Sequence, residues 1–127
     1  MSTAIAGTLP PGVHVGVVTG AEIGSFPWRS SPANVHGLAL KVRVEITTAD
    51  GAVRIDDGVD ITNTGRIATV FRAAGLRPPH GDLGEHIDEL VGRQVEVLTR
   101  NIRVARGKNA GVHRAVVSSW LPLIATR

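Results

Sequence analysis

The sequence predicts an all-β domain with one or two short helices, arranged as a five-stranded barrel. Three observations lead there. Leu38, Leu40, Val42, Val44 and Ile46 alternate strictly with polar or small residues, the pattern of an antiparallel sheet with one buried and one wet face. The period changes once, where Ile67, Val70, Phe71 and Ala74 fall at i, i+3, i+4 and i+7, the stripe of a helix. Strand-like segments then return after Gly92, so the helical block lies between two β blocks.

The elements follow in order. After Pro10-Pro11-Gly12, "VHVGVVTGAEI" places Val13, Val15 and Val17 at period two, a first strand. A loop rich in Ser and Pro follows, "SFPWRSSPANVHG". The second strand, "HGLALKVRVEIT", puts its apolar residues on one face and Ala39, Lys41, Arg43, Glu45 and Thr47 on the other. "TADGA" carries an Asp-Gly hairpin signal. In the third strand, "AVRIDDGVDI", Val53 and Ile55 point inward, Arg54 and Asp56 outward, and Gly58 marks a bulge or bend. Asp56, Asp57 and Asp60 around that glycine read as a turn cluster. Asn63 or Thr64 caps the helix, and Gly75 with Pro78-Pro79 stops it. "DLGEHIDELVG" adds a short amphipathic block presenting Leu83, Ile87, Leu90 and Val91. The fourth strand, "RQVEVLTRNIRVA", slips in apolar parity between Val97 and Leu98, as a bulge or barrel corner does. The loop "RGKNAG" and a fifth strand, "VHRAVVSSWLP", complete the chain, with Trp120 packing at that strand's end.

Three strands, a helix and two strands is the order of the OB-fold, a five-stranded Greek-key barrel with its helix between strands 3 and 4. An SH3-like barrel lacks the helical block. A ferredoxin-like fold needs a helix after the first strand, where this chain has only a loop.

At 127 residues the chain is expected to hold one domain over 9–122, with a flexible N-terminal tail at 1–8 and a C-terminal tail at 123–127. It has no Cys, which excludes disulfides and thiolate metal sites. The first residues carry no basic leader, and no apolar run is long enough to cross a membrane as a helix. A cytoplasmic protein, of a bacterium or of an infected host cell, is expected. Net charge is +3 but uneven: residues 1–43 hold three bases and one acid, 44–91 four bases and nine acids, and 92–127 seven bases and one acid. The basic final third favours an anionic partner. Twelve of the fourteen bases are Arg, so a GC-rich genome is the competing source of that charge.

In an OB barrel, oligonucleotides lie across the outer face of strands two and three, between the 1–2 and 4–5 loops. Half of the four aromatics, Phe26 and Trp28, fall in the 1–2 loop beside Arg29. Pro27 pushes Phe26 extended, and residues two apart in an extended segment project to the same side. Each ring can then stack a base, worth about 1–3 kcal/mol. Lys41, Arg43 and Arg54 would line the backbone track, and Arg103, Arg106, Lys108 and Arg114 the far wall. The competing reading makes Phe26 and Trp28 a hydrophobic lid over the barrel mouth.

Nothing in the sequence points to catalysis, a cofactor or a metal. "RVARGKNAG" has Ile102 where a P-loop needs Gly and Asn109 where it needs Ser or Thr. No G-x-S-x-G elbow occurs, and "DDGVD" lacks the spacing of a calcium loop. "HIDE" reads as a polar helix face around His86, and His14, His36 and His113 fall on separate strands.

The ordered series "LPPGVHVGVVTGAEI", "ANVHGLALKVRVEI", "DGAVRIDDGVDIT", "FRAAGL", "ELVGRQVEVLT" and "GKNAGVHRAVVSSWLP" resembles a family of small phage and prophage single-stranded-DNA-binding proteins. The resemblance spans roughly residues 9–122 and implies an OB fold and single-stranded-DNA binding in phage DNA replication or recombination. It maps no individual binding residue. A homo-oligomer is expected, and replication or recombination proteins are further partners in prospect; the binding of RNA is left open. The chain closes on "LIATR", not on an acidic tail, so recruitment of repair proteins through such a tail is not expected. The alternative function is an OB-type protein-interaction module docking a replication or phage partner through its 1–2 loop.

Overall fold

A computed structural model describes residues 9–103, 107, 111 and 113–122. The expected tails, and Arg106 and Lys108 of the 4–5 loop, lie outside the described residues. The order is β1 (Gly12–Ser25), β2 (Leu38–Thr48), β3 (Gly51–Asp60), α1 (Thr64–Ala73), β4 (Gln94–Arg103) and β5 (His113–Leu121). The strands form one antiparallel sheet in the order β3-β2-β1-β4-β5. Mostly β structure, with one α-helix among the described residues lying between the third and fourth strands, is thus as the sequence predicts.

Alternation fixes the core. Leu40, Val42, Val44 and Ile46 of β2 and Val53, Ile55 and Val59 of β3 are buried, facing Val95 and Val97 of β4. α1 covers them with Ile67, Val70 and Phe71. Asn63 caps the helix by accepting from Arg66 N at 3.1 Å, and Gly75 ends it at φ +75°. The "DLGEHIDELVG" block forms two 3-10 turns that bury Leu90 and leave Val91 outside.

Two register shifts re-aim the strands. Val18 pairs with Val44 and Gly20 with Arg43, so Thr19 is an extra residue in β1. A one-residue slip exchanges the faces. Val18 and Ala21 therefore both meet the core, and Val13, Val15 and Val17 point outward, 57%, 50% and 42% exposed. Gly16 fits beneath them because a Cβ there would lie 2.6 Å from Val44 Cγ1. The second shift comes at Leu98/Thr99, one residue beyond the expected slip, and its extra residue is Ser118 on β5. β4 itself keeps its alternation: Thr99 takes the buried position, and Leu98 faces outward beside Val13.

The turn cluster expected around Gly58 is corrected: Asp56, Asp57 and Gly58 pair in unbroken register with Arg43, Val42 and Lys41. Asp57 has the parity of Ile55 and Val59 and so faces the core side, where two donors meet it. Trp120 Nε1 donates to Asp57 Oδ2 at 2.6 Å, and Arg66 Nη2 reaches the same oxygen at 2.9 Å. Among the described residues no backbone ladder joins β3 to β5, but this buried indole joins their edges.

Candidate nucleic-acid interface

The 1–2 loop is a built feature. Phe26 is extended, at φ −122° and ψ 90°, as Pro27 after it demands. Pro27–Arg29 then forms one 3-10 turn, closed by Arg29 N to Phe26 O at 2.8 Å and Ser30 N to Pro27 O at 3.1 Å. Asn34, buried, holds the far side. Its Oδ1 accepts from Leu38 N at 2.9 Å, and its Nδ2 donates to Leu38 O at 2.7 Å and to Asp60 Oδ1 at 3.2 Å. Gly37 closes the loop at φ +60°, accepting from Phe26 N at 2.9 Å; a Cβ there would run into Phe26 O.

This frame decides what the aromatics do. The 3-10 turn replaces the extended segment expected beyond Pro27, so the rings do not project side by side. They meet edge to face, centroids 5.3 Å apart at 69°. Phe26 lies close over Gly24, where a Cβ would sit 3.2 Å from its ring. Ala39, opposite Gly24, is buried on what is otherwise the wet face. Trp28 stands clear at 78% exposure. Phe26 thus packs against the strand, and Trp28 presents an open ring face.

Arg29 extends over β3. Its guanidinium donates from Nη1 to Gly58 O at 3.2 Å and lies 3.1–3.2 Å from where a Cβ of residue 58 would be. Gly58 is therefore an opening for Arg29, not a bulge. Next to it the outer face carries Lys41, Arg43 and Arg54, the three cations expected there. They are set in a checkerboard, with Glu22 opposite Lys41, Asp56 opposite Arg43 and Glu45 opposite Arg54. Asp56 takes Arg43 Nε at 3.0 Å and Lys41 Nζ at 3.7 Å. A shallow groove of about 210 Å³ follows this face past Gly20, Glu22, Lys41 and Arg43. Asp60 anchors the adjoining corner. Hydrogen bonds from Thr62, side chain first and then backbone, with help from Asn34 and Arg29, hold its carboxyl below the usual range.

The structure thus gathers Phe26, Trp28, Arg29, Lys41, Arg43 and Arg54 on the loop and the β2–β3 face. Arg103 and Arg114 are exposed at the β4–β5 hairpin, where Arg103 pairs with His113 and Ile102 with Arg114. No hydrogen bond or ion pair among the described residues joins them to that face. Sequence reasoning missed three residues: Asp56 as the partner of both strand cations, Gly20 as the floor of the groove, and Asn34 as the loop's anchor. The Lys41–Arg43 alternation opposite Asp56 was a signal for the first; nothing local marks Thr19 as the bulge that places Gly20.

Two other places lie apart from this face. A cavity of about 610 Å³ opens between α1 and the 78–83 segment, lined by Ile23, Leu38, Ile61, Ile67, Pro79 and Leu83 among others. Its carboxylate, Asp82, is already accepting from Gly84 N at 3.0 Å. His86 Nδ1 lies 2.8 Å from Glu89 Oε2, and its Nε2 lies 3.2 Å from His80 O. With both ring nitrogens facing acceptors, Glu89 foremost, its pKa is raised. Among the described residues no group of three His, Asp or Glu is placed to hold a metal, and no helix is long and apolar enough to cross a membrane. No family model matches the chain, and no curated protein matches it in sequence.

Proposed function

We propose that the chain is a non-catalytic protein that binds single-stranded DNA with little sequence preference, in the manner of an OB barrel. The observation that carries the reading is Trp28: a tryptophan 78% exposed on a loop fixed by its own hydrogen bonds, next in the chain to Arg29, whose guanidinium reaches Gly58 opposite Lys41 on the cationic face. A ring held open on a fixed loop offers a flat apolar face, and a base is a flat apolar cover for it. One ring stacks a base, and the cations neutralise phosphates on either side. The element order and the Trp120–Asp57 link between β3 and β5 support the barrel. The resemblance to phage single-stranded-DNA-binding proteins supports a place in phage DNA replication or recombination. The outward valines of β1 support a homo-oligomer.

The test is a titration with oligo-dT of increasing length at several salt concentrations, following tryptophan fluorescence. Trp120 is buried and hydrogen-bonded, so a quench reports Trp28. Binding is expected to tighten with length and to weaken with salt, with a slope of about −0.7 per phosphate neutralised. Trp28→Ala is expected to weaken it about 5- to 150-fold, the equivalent of about 1–3 kcal/mol of stacking. Its stability loss is expected to stay within about 1 kcal/mol, since little of the ring is buried. Absence of binding at low salt overturns the reading and leaves Trp28 as an anchor for a protein partner.

A further inference from the structure

Asp56 stands between two cations of the outer face. Its oxygens divide them: Oδ1 accepts from Arg43 Nε at 3.0 Å, and Oδ2 lies 3.7 Å from Lys41 Nζ. A phosphodiester makes the same offer, two anionic oxygens on one centre, to a guanidinium and an ammonium. The register explains the reach. Arg43 lies directly opposite Asp56, while Lys41 lies opposite Gly58. With no side chain at that position, the carboxylate meets Lys41 on the diagonal. The side chains of Lys41, Arg43 and Asp56 are 30%, 39% and 41% exposed, so the trio is open to an incoming strand. The groove over Gly20 runs directly beside it.

We infer that Asp56 holds the place of a backbone phosphate between Lys41 and Arg43, and that a strand binds this face by displacing it. The inference rests on the single-strand reading above and names the step that gates that site. With Asp56 the trio carries one net positive charge; without it, two. A simple anion gains little by exchanging places with a tethered carboxylate. A strand that also stacks on Trp28 gains the difference. Asp56 thereby favours strands with unpaired bases over polyanions in general.

The experiment compares wild type, Asp56→Asn and Glu45→Gln, titrated with labelled oligo-dT across a range of salt. Glu45 carries the same charge on the same face and has no ion-pair partner among the described residues. Releasing two half-exposed pairs is expected to tighten binding by Asp56→Asn about threefold to tenfold at low salt. Its salt slope is expected to steepen by about 0.7. Glu45→Gln is expected to stay within about twofold of wild type. Wild-type binding that Asp56→Asn leaves unchanged overturns the inference alone, as does an equal gain in both variants, because general charge then suffices. No binding by either wild type or Asp56→Asn overturns the single-strand reading with it. If Asn at position 56 compromises folding, Asp56→Thr, a better strand former, makes the same comparison.

Discussion

Replacing Asp57 by Ala tests how β3 and β5 are held together. The carboxylate faces the core side, its side chain only 13% exposed, and Trp120 is 3% exposed. Removing the acceptor leaves a buried indole N–H without a partner, which costs about 1–3 kcal/mol. Losing the half-exposed Arg66 pair adds about 0.5–1 kcal/mol. The sum, about 1.5–4 kcal/mol, corresponds to a fall in Tm of roughly 6–15 °C for a domain of 127 residues. Thermal unfolding followed by near-ultraviolet circular dichroism reads the shift. A double-mutant cycle with Trp120→Phe separates the pair from the rest, because removing both partners leaves nothing unsatisfied. A coupling of about 1–2 kcal/mol is expected. An Asp57→Ala variant melting within about 2 °C of wild type, or strictly additive single losses, would refute this account of the seam.

Two further perturbations address the loop and the 3-10 segment. Gly37→Ala forces a side chain into the left-handed region and against Phe26 O; a loss of about 1–3 kcal/mol and a shifted Trp28 emission are expected, and an unaltered spectrum would show the loop indifferent to its closure. Glu89→Gln removes the chief cause of the raised His86 pKa, so the imidazole titration followed by NMR is expected to move down. Because the folded pKa lies above the unfolded value near 6.5, the pair stabilises the fold at mildly acidic pH and its contribution vanishes as pH rises through the folded pKa. An unshifted His86 titration in the variant would dismiss the pair.

What the sequence disclosed and what it concealed divide along one physical line. Strict alternation in β2 and the helix stripe of α1 are local signals, and they located both elements to within about two residues. Register is not local. Nothing near Thr19 announces that it is surplus, yet that one residue turns Val13, Val15 and Val17 outward and brings Gly20 opposite Arg43. Side-chain partners are equally hidden. "DDGVD" has the composition of a turn, and only the pairing of β3 with β2 shows Asp56 among cations and Asp57 beneath an indole 63 residues away. The loop aromatics were legible as residues but not as geometry. Pro27 both extended Phe26 and started a 3-10 turn, and only the first of these follows from the residue before a proline.

Under the proposed function, two exposed apolar features among the described residues, Trp28 and the outward valines of β1, answer one another. A single open ring and a cation pair already matched to Asp56 give one copy a weak hold on a strand: about 1–3 kcal/mol from stacking, with little electrostatic surplus until Asp56 moves. Tight binding then has to come from joining sites. Copies joined through the outward face of β1 would present several Trp28 rings to one strand, so that each site after the first acts at high effective concentration. On that face Val13 stands opposite Leu98, while Val17 stands opposite Glu45, the next outward residue after Arg43, so the proposed contact between copies borders the Lys41–Arg43 track. The Thr19 bulge that turns the valines outward also sets Gly20 against Arg43 and keeps the groove open. One inserted residue thus serves both the proposed contact between copies and the proposed contact with the strand, which is why a register shift, and not any single charge, is the feature on which this reading most depends.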